Sequence, residues 1–362
     1  MAELRSLIVV LGDQLDLDAA AFDGFDPAFD AVWMAEVAEE STQVWSSKPR
    51  TVMFLAAMRH FALALHAAGR PLHYTRLDAD GNGGSLGAQL QADLARLRPA
   101  GLVMTAPGDW RVLQAIKAVA EARQLPLDIR EDRHFFSSIR DFAAHAKGRK
   151  SLRMEYFYRE QRKRHQVLMQ GAGQLGTQDS APSVEPVGGQ WNFDADKREA
   201  FGAAGPGAVP PRTAFEPDGV TREVITLVNT RFAQHPGQLD SFAWPVTRAQ
   251  ALQSLQAFIA ERLPLFGRYQ DAMWPGDPWL YHAPARRAPC AIARTRWQTS
   301  YPAIPGIVTS SNIRSWLCCS NCANAASPLS ASCTSKPACR SVLAAMLRIS
   351  KSSSTRNRRA RA

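Results

Sequence analysis

Residues 1–282 contain no cysteine. All six (Cys290, Cys318, Cys319, Cys322, Cys333 and Cys339) fall in residues 283–362. The same stretch holds no aspartate or glutamate against 13 Lys and Arg. The body before it therefore carries 30 Lys and Arg against 33 Asp and Glu, and the overall charge of +10 belongs to the tail alone. The body has no thiol to act as nucleophile or metal ligand. No apolar run approaches the roughly 18 residues a membrane span needs, so no membrane partner is expected. The start, Met-Ala-Glu-Leu-Arg, has neither the basic nor the apolar region of a secretory signal, which predicts a cytoplasmic location.

The tail reads as foreign to the body. It shows no sustained helical or strand period, and its end, Lys351 to Ala362, is too polar and basic to form a core, so disorder is expected. Its one C-x-x-C, Cys319 to Cys322, with Cys333 and Cys339 at unrelated spacing, is weak as a metal motif, and no metal is expected. Such a composition suggests a reading-frame shift near His282. The rival is a genuine basic arm that holds nucleic acid electrostatically.

What is present begins with Leu7 to Leu11, five consecutive apolar residues that run into Gly12-Asp13-Gln14. A short, β-branched apolar run stopped by Gly-Asp predicts a buried strand, the first of a parallel sheet. Ligands of open α/β sheets lie beyond the carboxyl ends of the strands. Gly12 lets backbone approach closely there, and Asp13 and Gln14 supply an acceptor and an amide for a polar heterocycle. The alternative is a plain turn with Asp13 as a helix cap, since the segment matches neither G-x-G-x-x-G nor a P-loop.

Further strands are predicted at 29–37, with Glu36, Glu39 and Glu40 at its end, and at 72–77, 102–104 and 125–129. Helices are predicted at 51–68, 86–97 and after Asp109. The alternation predicts a doubly wound parallel α/β sheet over roughly 4–132. Residues 137–170 turn basic and helical: Lys147, Arg149, Lys150, Arg153, Arg159, Arg162, Lys163 and Arg164 are interleaved with Tyr156, Phe157 and Tyr158. That mixture suits phosphate contact and base stacking, the alternative being a solvated helix face. A linker rich in Gly, Pro, Ser and Gln follows over 171–219, with Trp191 and Phe193 as docking points. Helices are predicted at 220–232 and 247–263, the second opened by the capping box Thr247 to Gln250 and stopped at Gly267. Four regions result: an α/β domain at 1–135 with its own core, a basic helical segment and linker at 136–219, the start of an all-α domain at 220–282, and the tail.

Several motifs in order and at matching spacing resemble the bacterial iron–sulfur (6-4) photolyases, a branch of the photolyase/cryptochrome superfamily. They are Leu11 to Leu15, Glu36-Val37, Ala56 to Phe61, Pro107 to Arg111, Gly148 to Leu152, Met154 to Arg159, Gly189 to Asp194 and Tyr269 to Met273. The resemblance runs from about residue 5 to His282. It implies an N-terminal antenna domain, a long linker and a helical FAD domain, and light-driven repair of pyrimidine (6-4) pyrimidone lesions in DNA. It implies that Gly12, Asp13, Gln14, Glu36, Val37 and Glu40 hold a 6,7-dimethyl-8-ribityllumazine antenna. Ala35 stands where some relatives have Cys. Tyr269 is the surviving edge of the FAD pocket. The remaining FAD contacts, the catalytic residues and the 4Fe-4S ligands of the family match nothing after His282, and the tail cysteines sit in no family motif. Damaged DNA is the implied partner, with Lys147, Arg149, Lys150, Arg153 and Arg159 as contacts, and a monomer is expected. The chain as given is expected to lack repair activity, and the apolar stripe Leu252, Leu255, Ile259 and Leu263 to lack partners. The other classes in play are a cryptochrome-like photoreceptor and a non-enzymatic nucleotide- or chromophore-binding α/β domain.

Overall fold

The structure is a computed structural model that describes residues 4–170, 184–193, 198–269, 271–275 and 280–281. The tail, its six cysteines, His282 and much of the 171–219 linker lie outside the described residues, so the expectations attached to them do too. The described residues form two compact units, one of 4–134 with 198–281, the other of 135–193.

In the first unit, β1 (Ser6–Val9), β2 (Asp30–Ala35), β3 (Leu72–Thr75), β4 (Gly101–Thr105) and β5 (Leu127–Arg130) form one parallel sheet in the order β3-β2-β1-β4-β5. Ile8 pairs with Val32 on one side and Val103 on the other, which fixes the register at the centre. Parallel neighbours need long crossovers. These are α2 (Lys48–Ala67), α3 (Leu86–Leu97) and α4 (Trp110–Ala122). The β1-to-β2 link has only a 3₁₀ turn, Ala20–Phe22, and a short α1 (Glu39–Thr42) follows β2. Helix α2 starts at Lys48, earlier than the expected residue 51, because Ser47 precedes it and Pro49 sits in the first turn, where no N–H partner is lost. It ends at Ala67, with Gly69 at φ +68° leading the chain away.

Period-two alternation divides the sheet residues between two faces. Ile8, Val10, Val32, Met34 and Val103 meet Met58, Phe61 and Leu65 of α2, while Leu7, Val9, Trp33, Leu102 and Met104 meet α3 and α4. Each such aliphatic side chain contributes about 1.5–3 kcal/mol on burial.

The same unit continues with α7 (Gly219–Arg231), α8 (Arg248–Ala257), a π-turn (Phe258–Arg262) and α9 (Leu263–Arg268). Residues 1–135 hold the cluster on the α3/α4 side by themselves and most of the cluster on the α2 side. A third cluster joins Val52, Met53, Leu55, Ala56 and Leu77 to Val224, Val228, Phe232, Leu239, Phe242 and Val246. The expected bare stripe is corrected. Ala251 and Leu255 are buried in the cluster with Met58 and Phe61, and Leu252 and Ile259 pack against it. The predicted 247–263 helix is broken by the π-turn. Pro264 has no N–H for the preceding turn, and the wider hydrogen bonding accommodates that loss. Gly267 lies inside α9 and does not stop it; the helix ends at Arg268.

In the second unit, the basic stretch forms α5 (Ile139–Ala146) and α6 (Met154–His165). Ser138 and Asp141 form a capping box at the start of α5. Phe142, His145 and Phe157 pack between the helices, with His145 Nδ1 2.8 Å from Glu160 Oε2.

Candidate functional site

The strand order reverses between β1 and β4, so the crevice beyond their carboxyl ends is the expected ligand position. Gly12-Asp13-Gln14 leaves β1 there, and Thr105 to Asp109 leaves β4. Gln14 bridges the two. Its Nε2 donates to the carbonyls of Ala106 at 3.0 Å and Thr105 at 3.4 Å. Those two carbonyls fix the amide orientation, since only the nitrogen can donate to them. Gln14 Oε1 is then left buried without a partner, and so is Thr105 Oγ1. Gln14 is 7% exposed and Thr105 4%.

Asp13 lies at the mouth of this crevice, crowded by protein yet with its surface open to water. Desolvation pushes its carboxyl up to about 6, helped by the negative charges of Glu40, Asp132 and Asp109, against the backbone hydrogen bond that favours ionisation. Gly12 packs against α2. A Cβ there would lie 2.9 Å from Met58 Sδ, so any side chain would have to displace the thioether.

Glu40 lies on α1 and accepts from Arg111 Nη2 at 2.6 Å. Arg111 also reaches Glu39 at 3.4 Å and Asp109 at 3.5 Å. Asp109 caps α4, accepting from Arg111 N at 2.8 Å.

Glu36 is buried and fully engaged. Arg59 grips it with Nε at 2.8 Å and Nη2 at 3.0 Å, Tyr74 Oη donates at 2.5 Å, and Leu77 N donates at 2.8 Å. Burial and the adjacent Glu36 charge hold the Tyr74 phenol protonated, well above its usual range. The Glu36 carboxylate ties β2 to α2 and β3, and Arg59 extends the network to Asp78 and Glu223. Val37 is buried in the α3/α4-side cluster. Gly12, Asp13, Gln14 and Glu40 thus gather around the crevice, whereas the side chains of Glu36 and Val37 turn into the protein.

Sequence reasoning passed over a second charged group. His134 Nδ1 lies 2.7 Å from Asp132 and its Nε2 3.1 Å from buried Asp16, which Arg248 approaches at 3.6 Å. Burial works against the imidazolium, but the hydrogen bonds it donates to the Asp132 and Asp16 carboxylates outweigh it and raise His134 to about 9. No motif marks this group; its members come from a loop, a strand exit and a helix start far apart in sequence. Thr105 and Arg111 also went unassigned, although Arg111 closes the Pro107 to Arg111 motif.

Tyr269 stands in an aromatic cluster with Phe201 at 4.8 Å and Tyr281 at 6.0 Å, and Arg268 lies 5.2 Å from its ring centre. It is the one described residue assigned to a flavin. Among the described residues no group of His, Cys, Asp and Glu is placed to hold a metal ion.

In the second unit, Lys147, Arg149, Lys150 and Arg153 are exposed. Among the described residues Lys147, Lys150 and Arg153 have no acidic partner, while Arg149 pairs with Glu160 at 2.9 Å. Arg159 pairs with Glu155 at 2.5 Å and stacks on Tyr156 and Trp191. Arg162 and Lys163 lie on the same Trp191 ring at 5.2 and 5.4 Å.

No described helix is long and apolar enough to cross a membrane. The profile described as "Deoxyribodipyrimidine photo-lyase-related protein" matches residues 8–244. A "(6-4) photolyase" of Agrobacterium fabrum (strain C58 / ATCC 33970) is 40% identical over 281 residues, covering 77% of this chain. This chain spans about half, 52%, of that relative's length. A crystal structure of a bacterial class III photolyase from Agrobacterium tumefaciens aligns with 89% of this chain and 59% of its own, at a TM-score of 0.47 and 12% identity, too distant to bear on the site. With the match covering residues 8–244, from β1 through α7, the chain belongs to the deoxyribodipyrimidine photo-lyase-related protein family.

Proposed function

We propose that this chain is the light-gathering and DNA-contacting portion of a (6-4) photolyase-type repair protein, with 6,7-dimethyl-8-ribityllumazine as its antenna in the β1/β4 crevice. The observation that carries the reading is the pair of buried, unpartnered oxygens, Gln14 Oε1 and Thr105 Oγ1. A buried polar atom left without a hydrogen bond costs about 1–3 kcal/mol, which a ligand offering N–H or O–H donors offsets. A lumazine with its imide and ribityl hydroxyls is such a ligand, and when bound it supplies absorption of blue light.

The chain's own residues do the rest. Gln14, locked by two carbonyls, presents a fixed acceptor. Asp13 sits between its neutral and ionised forms near pH 6, so it accepts from a hydroxyl or donates to a ring nitrogen. Glu40, steadied by Arg111, adds a second carboxylate at the rim. Glu36 acts indirectly: by tying β2 to α2 and β3 it holds the crevice wall still.

The exposed Lys147, Arg149, Lys150 and Arg153 offer phosphate contacts for damaged DNA, and Arg159 stacked with Tyr156 offers a platform at their edge. FAD and a 4Fe-4S cluster are family expectations. Tyr269 is the one described residue that would contact the flavin. Equilibrium dialysis of the purified chain against the lumazine tests the reading: saturable binding with a shifted absorption band is expected. A chain that binds ATP or AMP and not the lumazine would overturn it in favour of a nucleotide-binding α/β domain.

A further inference from the structure

We propose that the β1/β4 crevice selects against phosphate: it accepts an uncharged heterocycle bearing hydroxyl or imide donors and rejects the same molecule once phosphorylated. The inference rests on the crevice being the ligand site, the reading carried by the buried and unpartnered Gln14 Oε1 and Thr105 Oγ1.

A doubly wound sheet ordinarily binds phosphate at this place, because helix N-termini beyond the strands offer free N–H groups and a positive dipole end. Here that provision is withdrawn. After β1 the chain makes a turn, with Gln14 N donating to Leu11 O, and no helix follows before the 3₁₀ turn at Ala20–Phe22. After β4 a helix does begin, but Asp109 caps it and its carboxylate takes the Arg111 N–H that a phosphate would use. The first turn of α1 adds Glu39 and Glu40.

The nearby guanidinium does not reverse the sign. Arg111 is already shared among Glu40, Glu39 and Asp109. Asp13 feels Glu40, Asp132 and Asp109 as like charges, and the cation on the far side, His134, is held by Asp132 and Asp16. An incoming phosphate meets carboxylates with their counter-ions spent, whereas every exposed acceptor suits a ligand that donates. The crevice thus reads hydroxyls and N–H groups and repels anions.

The test uses the full chain, with 6,7-dimethyl-8-ribityllumazine and its 5′-phosphate titrated separately by fluorescence at low and high salt. The phosphate form is expected to bind about tenfold or more weakly at low salt, with the ratio narrowing as salt screens the carboxylates. Glu39→Gln with Asp109→Asn, the latter keeping a competent helix cap, should retain lumazine binding and narrow the ratio several-fold. Equal affinity for both forms in the parent would overturn the inference and leave the crevice as the ligand site. An unchanged ratio in the double variant would overturn it as well, making the discrimination steric. Binding of neither form would overturn the site reading itself.

Discussion

Asp13 and His134 carry the chemistry of single residues furthest. Replacing Asp13 by Ala removes one rim acceptor without touching either sheet face, so lumazine co-purification should be lost while the circular dichroism spectrum and melting temperature stay within experimental spread of the parent. Unchanged chromophore stoichiometry would refute the assignment. His134 predicts a pH dependence. Its folded value near 9 exceeds the unfolded value, so the native state binds the extra proton between them. Its stabilisation is complete below about pH 6.5 and is lost as pH rises through about 9, a matter of about 1–3 kcal/mol. Urea unfolding from pH 6 to 9.5 should show that decline in the parent and a flatter profile in His134→Gln. The position of Asp13 just beyond β1 was legible in the sequence because a glycine and two polar residues end an apolar strand. His134 was not, because its partners Asp132 and Asp16 are assembled only by the crossing of β5 and β1 exits, and a lone His gives no periodic signal.

Among elements, the strands and the helices α3 and α4 were readable from alternation and caps: Ser85 and Asp109 both accept a backbone N–H from the first turn of the helix they precede. Helix α8 was half readable. Its Thr247–Gln250 capping box is formed, but the break after Ala257 depends on Pro264, seven residues on, and on where Phe258 and Arg262 find burial. The role of Glu36 was concealed for a different reason. A carboxylate at a strand end looks like a ligand contact, and nothing local tells that Arg59, on the helix that follows, will claim it. Removing one member of such a buried pair leaves the other charged and unsatisfied. Glu36→Gln should therefore cost about 3–5 kcal/mol, read as a lowered urea midpoint at constant slope. Leu255→Ala, which opens space between α8 and the sheet, should cost about 2–5 kcal/mol by the same measurement.

For the whole molecule, membership of the photo-lyase-related family is shown over residues 8–244. Reconstituted with FAD and a (6-4) oligonucleotide, the chain should show no lesion turnover under blue light; measurable lesion-specific turnover would mean that residues beyond Tyr281 supply a catalytic half. DNA binding is expected to persist in a salt-dependent form. Changing Lys147, Lys150 and Arg153 together to Ala should lower the salt slope by about one for each phosphate no longer neutralised, against the background set by the basic tail. Finally, the unit that holds the sheet is discontinuous in the chain, with Phe135–Phe193 set between its parts. On the ribosome, roughly 150 residues separate the end of α2 from the start of α7, so at 5–20 residues per second the face of Val52, Met53 and Ala56 waits about eight to thirty seconds for Val224 and Val228. Nascent chains of this protein should accordingly engage holding chaperones in that interval and release them once residue 246 has cleared the exit tunnel.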